Sequence, residues 1–529
     1  MARGFISTTI PYVNAPPHLG HALEYVEVDA YARHARMRGD DLFVSTGSDE
    51  NSLKNVIAAE RAGMTTRRLV DENVAHFEHL IDDLEIVPQR FVRTSLDESH
   101  IRGAVEMWER MNRSGDIYIR AYEGLYCVGC EQFYAESELD HGRCPEHGTV
   151  VEQVTEENYF FRLSRYGDRL LAEIESGRLA ILPEFRRNEI LSLIRGGLDD
   201  ISISRTADRA RGWGIPVPGD PRQVMYVWVD ALTNYINALD WPLGEDFARY
   251  WDEGASRVHV VGKGVLRFHA VYWPAMLLSA GVSLPTSIVS HGYVTVDGRK
   301  IGKSSGNAVN PADLIADFGS DAVRYYLLSQ FSPFGDGDFS RERLVSCYNA
   351  DLANGLGNFV SRTLSMLDRY RDSVVPDSPG AGPAEAALGA QVIASEAGAA
   401  AALDRYEHKE AARHLWDLVR RVNAYLNETE PWHLARSARA GEAASRLELD
   451  RVLLHSAGVA RALGRLTHPF IPNASQALLD VFGDTLSSAP SGERWLEGLG
   501  GRRVHQIAAL FPRVEHLAPI TLAADAPSR

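Results

Sequence analysis

The sequence predicts an α/β protein in which a parallel sheet is interrupted by an insertion and followed by an all-α third. Strand and helix signals alternate at the start of the chain, lapse between about 117 and 220, and resume before giving way to helices alone.

A strand over 4–10 follows from the alternation of Ile6, Thr8 and Ile10. The turn formers Pro11, Asn14, Pro16 and Pro17 come next, then a helix over 19–38, a strand over 42–46 and a helix over 51–62. This spacing opens a parallel sheet, because same-direction neighbours need a crossover helix between them. Past the insertion, 224–229, 257–261 and 287–290 read as strands and 268–280 as a helix. Beyond about Arg341 the periodicity is helical over 351–369, 384–401, 409–427, 447–463 and 475–481, with a Pro, Gly and Ser-rich loop at 372–383. The expected division is 1–116 and 223–342 as halves of one sheet domain, 117–222 as the insert and 343–529 as a helical domain.

A chain of 529 residues is too long for one core and implies two to four domains. No apolar run of 18 or more residues occurs, and no basic-then-apolar leader opens the chain, so no membrane association is expected and the cytoplasm is the expected location. The net charge of −16 sits mainly in the first 350 residues. Residues 351–529 carry 19 Lys and Arg against 21 Asp and Glu, which leaves room for a local basic, RNA-binding surface.

Only five of the 55 basic residues are Lys: Lys54, Lys263, Lys300, Lys303 and Lys409. Three lie between 263 and 303, where a compact, flexible ammonium suits a phosphate that changes position during reaction. Lys300-Ile301-Gly302-Lys303-Ser304 lies in a glycine-bearing loop suited to closing over a triphosphate. Its counterpart is His18-Leu19-Gly20-His21, where a loop turns into a helix after the first strand. N–H groups at a helix start attract anions, Gly20 leaves room for a flat base, and two imidazoles three residues apart can donate to phosphate oxygens.

Cys127-x2-Cys130 and Cys144-x2-His147 form two tight pairs of soft or borderline ligands, separated by 13 residues. They point to a structural Zn2+ with a closed Cys3His shell, with His141 as the competing imidazole. Cys347 is left over and is expected to be a buried thiol.

The two signatures resemble the His-Ile-Gly-His and Lys-Met-Ser-Lys-Ser elements of class I aminoacyl-tRNA synthetases. Within that class the chain is similar to methionyl-tRNA synthetases along essentially its whole length. The similarity includes Pro11-Tyr12-Val13-Asn14, the stretch from Tyr226 to Tyr235, Arg267-Phe268-His269, His291-Gly292-Tyr293 and Glu430-Pro431-Trp432.

The resemblance implies a Rossmann-like catalytic domain split by a zinc-bearing insert, and an anticodon-binding helical bundle. It implies L-methionine, ATP with Mg2+ and tRNA-Met as substrates. His18, His21, Lys300 and Lys303 would be catalytic, with Gly20 and Ser304 also at the ATP. Ile10, Tyr12, Trp228, Ala231, Tyr235 and His291 would surround the methionine side chain, and Asp49 would hold its ammonium. Asn354, Arg362 and Trp432 would read the anticodon.

The chain departs from the family pattern at Asn51-Ser52, where His-Gly is common. It departs again at Gly264, where an acid is common, and at His147, often a cysteine. The appended dimerising module of some relatives is not seen after the helical domain, so a monomer is expected. An alternative is a paralogue that adenylates methionine, or a similar amino acid, for a non-translational acceptor.

Overall fold

The alternation builds one six-stranded sheet in which every neighbouring pair is parallel. In spatial order its strands are Arg90–Arg93, Asp41–Ser48, Arg3–Ser7, Ser256–Gly262, Ser287–His291 and Ala180–Leu182. The computed structural model describes residues 2–127, 132–134, 136–145, 148–252, 254–301, 309–377 and 380–514. Two compact units divide the chain: Met1–Pro17, Asp40–Asp82 and Ile86–His291 form the first, and His18–Gly39, Asp83–Glu85 and Gly292–Arg529 the second.

In the first unit Arg3–Ser7 pairs with Asp41–Ser48 on one side and Ser256–Gly262 on the other. The strand order reverses there, and such a switch point leaves a crevice beyond the carboxyl ends of the strands. Phe5, Ile6, Val44, Val258, Val260, Val261, Ile288 and Val289 are all buried, as parallel strands covered on both faces require.

The strand expected over 224–229 is corrected. Asp220–Met225 pairs antiparallel with Ser204–Thr206 and Pro216–Val217 in a separate three-stranded sheet, and Val227–Asn237 is a helix. Every residue of that helix except Trp228 is buried, and a short apolar run buried on all sides has no period that separates strand from helix. The edge strand Ala180–Leu182 was not expected, since three residues are too few to show alternation. Within 117–222 lies a four-stranded antiparallel sheet ordered Gln132–Tyr134, Ile117–Cys127, Glu152–Phe161, Ile201–Ser202.

Among the described residues the second unit is helical apart from a small sheet of Arg299–Lys300, Val294–Val296 and Gly337–Asp338. Its helices Pro383–Asp404, His408–Thr429, Ala443–Leu466 and Pro472–Val481 match the periodic stretches, and Pro431–Arg439 is an addition. Residues 351–369 divide between a π-helical run, Tyr348–Gly357, and the helix Asn358–Arg371. Pro383–Asp404 has the length and apolar character of a membrane span, the one such helix among the described residues, and it packs along His408–Thr429. Helix Leu19–Met37 is tied into this unit by a buried ion pair, with Arg324 2.6 Å from Asp29 and also donating to the Leu84 and Pro469 carbonyls.

Candidate active site

Most of the candidate methionine residues lie at or just beyond the carboxyl ends of the first unit's strands. Tyr12 follows Arg3–Ser7 and forms an isolated parallel bridge with Asp49, which follows Asp41–Ser48; the Asp49 N–H donates to the Pro11 carbonyl at 2.9 Å. Ile10 packs on Gly47, where a Cβ would lie 3.1 Å from its Cγ2 and only 2.3 Å from the Val92 oxygen. That closeness is why a glycine stands there. His291 ends its strand beside Gly262, where a Cβ would be 3.6 Å from its Nε2.

The helix Val227–Asn237 supplies Trp228, Ala231 and Tyr235. Trp228 lies flat on Phe268, with centroids 3.7 Å apart and planes 5° apart, and meets Tyr12 edge-on at 6.5 Å. The Tyr235 hydroxyl donates to His269 Nε2 at 2.6 Å, because His269 Nδ1 must donate to the Val265 carbonyl at 2.8 Å. Beneath Tyr235, at a centroid distance of 4.1 Å, is fully buried His259. Its Nε2 accepts from Trp273 at 3.2 Å, so Nδ1 donates to Ser7 Oγ at 2.8 Å. Burial, and secondarily His269, hold the His259 pKa well below its ordinary value, so this ring is neutral.

The segment carrying Asp49 is densely cross-linked. Buried Glu50 is held by Ser48, Arg93 and Ser95, and Asn55 Nδ2 donates to the Asp49 and Glu50 carbonyls at 3.1 and 2.8 Å. Both departures here have local roles. Ser52 caps the helix Leu53–Arg61 by accepting from the Lys54 N–H, and Asn51 donates to the Asp230 carboxylate at 2.8 Å. Gly264 is exposed in a 3-10 turn, Lys263–Val265.

The phosphate-type signatures belong to the second unit. His18 is the N-cap of Leu19–Met37, and its Nδ1 accepts from the Gly20 N–H at 3.1 Å. His21 Nδ1 accepts from the His18 N–H at 3.1 Å, and the rings stack 3.9 Å apart. With both Nδ1 atoms accepting, each neutral ring carries its hydrogen on Nε2, which is the donor an anion needs. Burial and the neighbouring His18 push the His21 pKa well below ordinary, so it acts as a neutral donor. A Cβ on Gly20 would lie 2.9 Å from His18 Cε1, so the glycine also serves the folded-back ring.

Asp297 and Gly298, at φ +52° and +70°, make a two-residue turn joining Val294–Val296 to Arg299–Lys300. The Gly298 N–H and, secondarily, Thr295 donate to Asp338 and hold that carboxyl below its usual range. The lysine loop thus starts from an anchored hairpin. Lys303 and Ser304 lie outside the described residues, as does the side chain of Lys300.

Cys127 and Cys144 are buried with Tyr134 in one small cluster, and the Gly148 N–H donates to the Cys144 carbonyl at 2.8 Å. Cys130 and His147 lie outside the described residues. His141 stands at the exposed tip of the turn between Asp140 and Arg143. No group of three or more His, Cys, Asp or Glu side chains placed to hold a metal occurs among the described residues. The two described thiols nonetheless fit a soft cation: both are buried, in the same cluster. Cys347 is a buried thiol, raised to about 12 mainly by burial.

Trp432 is 37% exposed at the start of Pro431–Arg439, with the Arg362 guanidinium 5.5 Å from its ring centre. Arg362 also donates to Asn427 at 3.2 Å, and Asn354 is exposed on Tyr348–Gly357. Core packing does not account for this tryptophan. Sequence reading missed Phe268, Asn51, Asp230, His100 and His259 as parts of the site. Phe268 and Asp230 gave a signal as members of stretches similar to the family, and Asn51 as a departure from its pattern; His100 and His259 gave none.

Residues 4–153 and 147–364 match the family described as tRNA synthetases class I (M), and residues 375–515 match the anticodon binding domain of methionyl tRNA ligase. The chain is 40% identical to the methionine–tRNA ligase of Caldanaerobacter subterraneus subsp. tengcongensis, over 97% of its own length and 79% of that protein's. It is 40% identical to that of Brucella suis biovar 1, over 92% and 95%. A solved structure of Mycobacterium tuberculosis methionyl-tRNA synthetase in complex with methionyl-adenylate matches it with a TM-score of 0.91 at 39% identity, covering 97% of this chain and 100% of that one. The alternative of a non-translational acceptor gains no support from these similarities. A parallel sheet with its candidate pocket at the strand ends, a neutral His18–His21 cap and a helical anticodon-type domain thus occur in a chain that belongs to the methionyl-tRNA synthetases of class I.

Proposed function

We propose the following division of labour for methionine activation and its transfer to tRNA-Met. Ile10, Tyr12, Trp228, Ala231, Tyr235 and His291 surround the methionine side chain, whose polarizable thioether favours aromatic contact, and Asp49 binds its ammonium. The observation that carries this reading is the placement of Tyr12, Asp49 and His291 at carboxyl ends of the strands nearest the switch point.

The methionine carboxylate attacks the α-phosphorus of ATP. The bond to the pyrophosphate leaving group breaks, and methionyl-adenylate forms, the species held by the Mycobacterium tuberculosis relative. Neutral His18 and His21 donate through Nε2, beside Gly20, to the phosphate oxygens, and Lys300, Lys303 and Ser304 offset the charge that develops there. Mg2+ enters with ATP as part of that substrate. The terminal tRNA adenosine then accepts the acyl group on its 2′-hydroxyl, releasing AMP. No side chain becomes covalently attached at any step, so alignment and charge stabilisation supply the rate.

Cys127, Cys130, Cys144 and His147 hold a structural Zn2+ that stiffens the insert and takes part in no chemical step. The chain works as a cytoplasmic monomer, with the divisions 1–116, 117–222, 223–342 and 343–529 as its functional parts. Trp432 stacks on an anticodon base, with Arg362 and Asn354 donating to base edges.

Replacing Trp432 by Ala tests the last assignment while leaving the adenylation residues untouched. Pyrophosphate exchange stays at the wild-type rate, while kcat/KM for charging tRNA-Met falls about 5- to 150-fold, from a stacking contribution of about 1–3 kcal/mol. Unchanged charging would remove Trp432 from tRNA recognition.

A further inference from the structure

Behind the candidate methionine residues lies a buried chain of hydrogen bonds that the reaction itself does not require. Asp230, fully buried in the first turn of Val227–Asn237, accepts from Asn51 Nδ2 through Oδ2 at 2.8 Å and from His100 Nε2 through Oδ1 at 2.8 Å. Asn237, two turns further along the same helix, donates to His100 Nδ1 at 3.3 Å and to the His100 carbonyl at 3.1 Å. An Nδ1 that accepts puts the ring hydrogen on Nε2, so His100 is held as a donor to Asp230. Helix Glu98–Arg113 approaches closely enough that a Cβ on Gly103 would lie 1.9 Å from Asn237 Oδ1. His100 is fully buried, its ring held between Asp230 and Asn237.

Asn51 is the remaining link. Its amide donates to Asp230 and also, at 3.3 Å, to the Thr94 carbonyl, and it is two residues from Asp49. Asp230 is two residues from Trp228 and next to Ala231. One amide thus spans the segment that carries the ammonium-binding candidate and the helix that carries three of the side-chain-binding candidates. Asn55 holds the Asp49 and Glu50 carbonyls from one side, and Trp213 Nε1 donates to the Glu50 carbonyl at 2.7 Å from another. The segment is held from several sides, and Asn51 joins it to the helix. A buried carboxylate is costly unless its lone pairs are used, so loss of one donor moves the helix start or admits water.

We propose that Asn51 is a positioning residue for methionine: it acts through Asp230 to fix the distance between Asp49 and the Trp228–Ala231 turn. This rests on the methionine site assigned above. It predicts an effect on methionine and not on ATP, because His18 and His21 have their own anchors at the start of Leu19–Met37.

The test is pyrophosphate exchange with the full chain, varying methionine and ATP separately. Asn51→Ala raises the methionine KM about tenfold or more and leaves the ATP KM within about twofold. Asn51→His, whose imidazole N–H occupies a similar reach from the backbone, returns the methionine KM most of the way. Trp228→Ala is run alongside. If it leaves the methionine KM unchanged, the assigned site fails; if it raises that KM and Asn51→Ala does not, the site stands and the positioning role fails. A loss in Asn51→Ala that appears only in thermal unfolding, or equally in both KM values, also overturns the proposal. Should Asn51→Ala yield no folded protein, Asn51→Ser is compared with Asn51→His, and equal methionine KM values in those two overturn it as well.

Discussion

His18 and His21 stack 3.9 Å apart at the start of Leu19–Met37, whereas His259 and His269 lie 6.3 Å apart under Tyr235. The two pairs use the same ring in opposite ways. In the first, backbone N–H groups occupy both Nδ1 atoms, so the ring hydrogens are on the Nε2 side. In the second, both nitrogens of each ring are spent inside the protein: on Ser7 and Trp273 for His259, and on Val265 and Tyr235 for His269. The first pair is proposed to donate to phosphate through Nε2, whereas the ring nitrogens of the second pair tie packed elements together. Burial depresses His21 and His259 alike, so a shifted pKa alone does not tell the two uses apart.

The sharpest way to break this comparison is to remove one ring from each pair. His21→Ala slows adenylate formation about 100- to 1,000-fold, the cost of one lost donor to developing charge, with little change in methionine KM. Rapid-quench measurement of adenylate in a single turnover reads this directly. A rate within a few-fold of wild type would place His21 among the packing histidines.

Replacing the saturated ring gives the opposite profile. His259→Leu leaves Ser7 Oγ and Trp273 Nε1 without their partner, a destabilisation of about 1–3 kcal/mol for each buried group left unsatisfied. The urea midpoint falls accordingly, while the adenylation rate changes only as far as Tyr235 shifts. An unaltered midpoint together with a large rate loss would reverse the two assignments.

Only one pair was legible in the sequence, and the reason is distance along the chain. His18 and His21 are three residues apart, within reach of a local motif. His259 meets Ser7 across 252 residues, and Asn51 meets Asp230 across 179. Contacts of that kind are set by strand order: Ser7 pairs with Ser45 on one side and His259 on the other only because the sheet reverses at Arg3–Ser7. His408–Thr429, Ala443–Leu466 and Pro472–Val481 were legible because each is amphipathic over several turns. Residues 224–229 were not, because burial on all sides erased the period. The Ser52 cap carries a signal written in adjacent residues, yet Ser52 was read as a departure from the family pattern.

The smallest effect separates the saturated ring from the rest of the protein by pH. His259 Nε2 accepts from Trp273, so a proton there would set two donors against each other, and burial holds its pKa well below 6.5. In the unfolded chain the same ring takes up a proton near 6.5. Below that pH the unfolded state binds more protons than the folded one; the stabilisation is complete above pH 6.5 and is lost as pH falls, by up to about 1.4 kcal/mol per pH unit for one histidine. His408, lowered to about 3 by burial and His34, adds a loss of the same sign in wild type and variant alike, so it cancels in their difference. Unfolding free energies of wild type and His259→Leu between pH 7.5 and 5 therefore converge as the pH falls, with slopes differing by about one proton. Parallel slopes would mean that His259 already titrates normally in the folded chain, which its bond from Trp273 forbids.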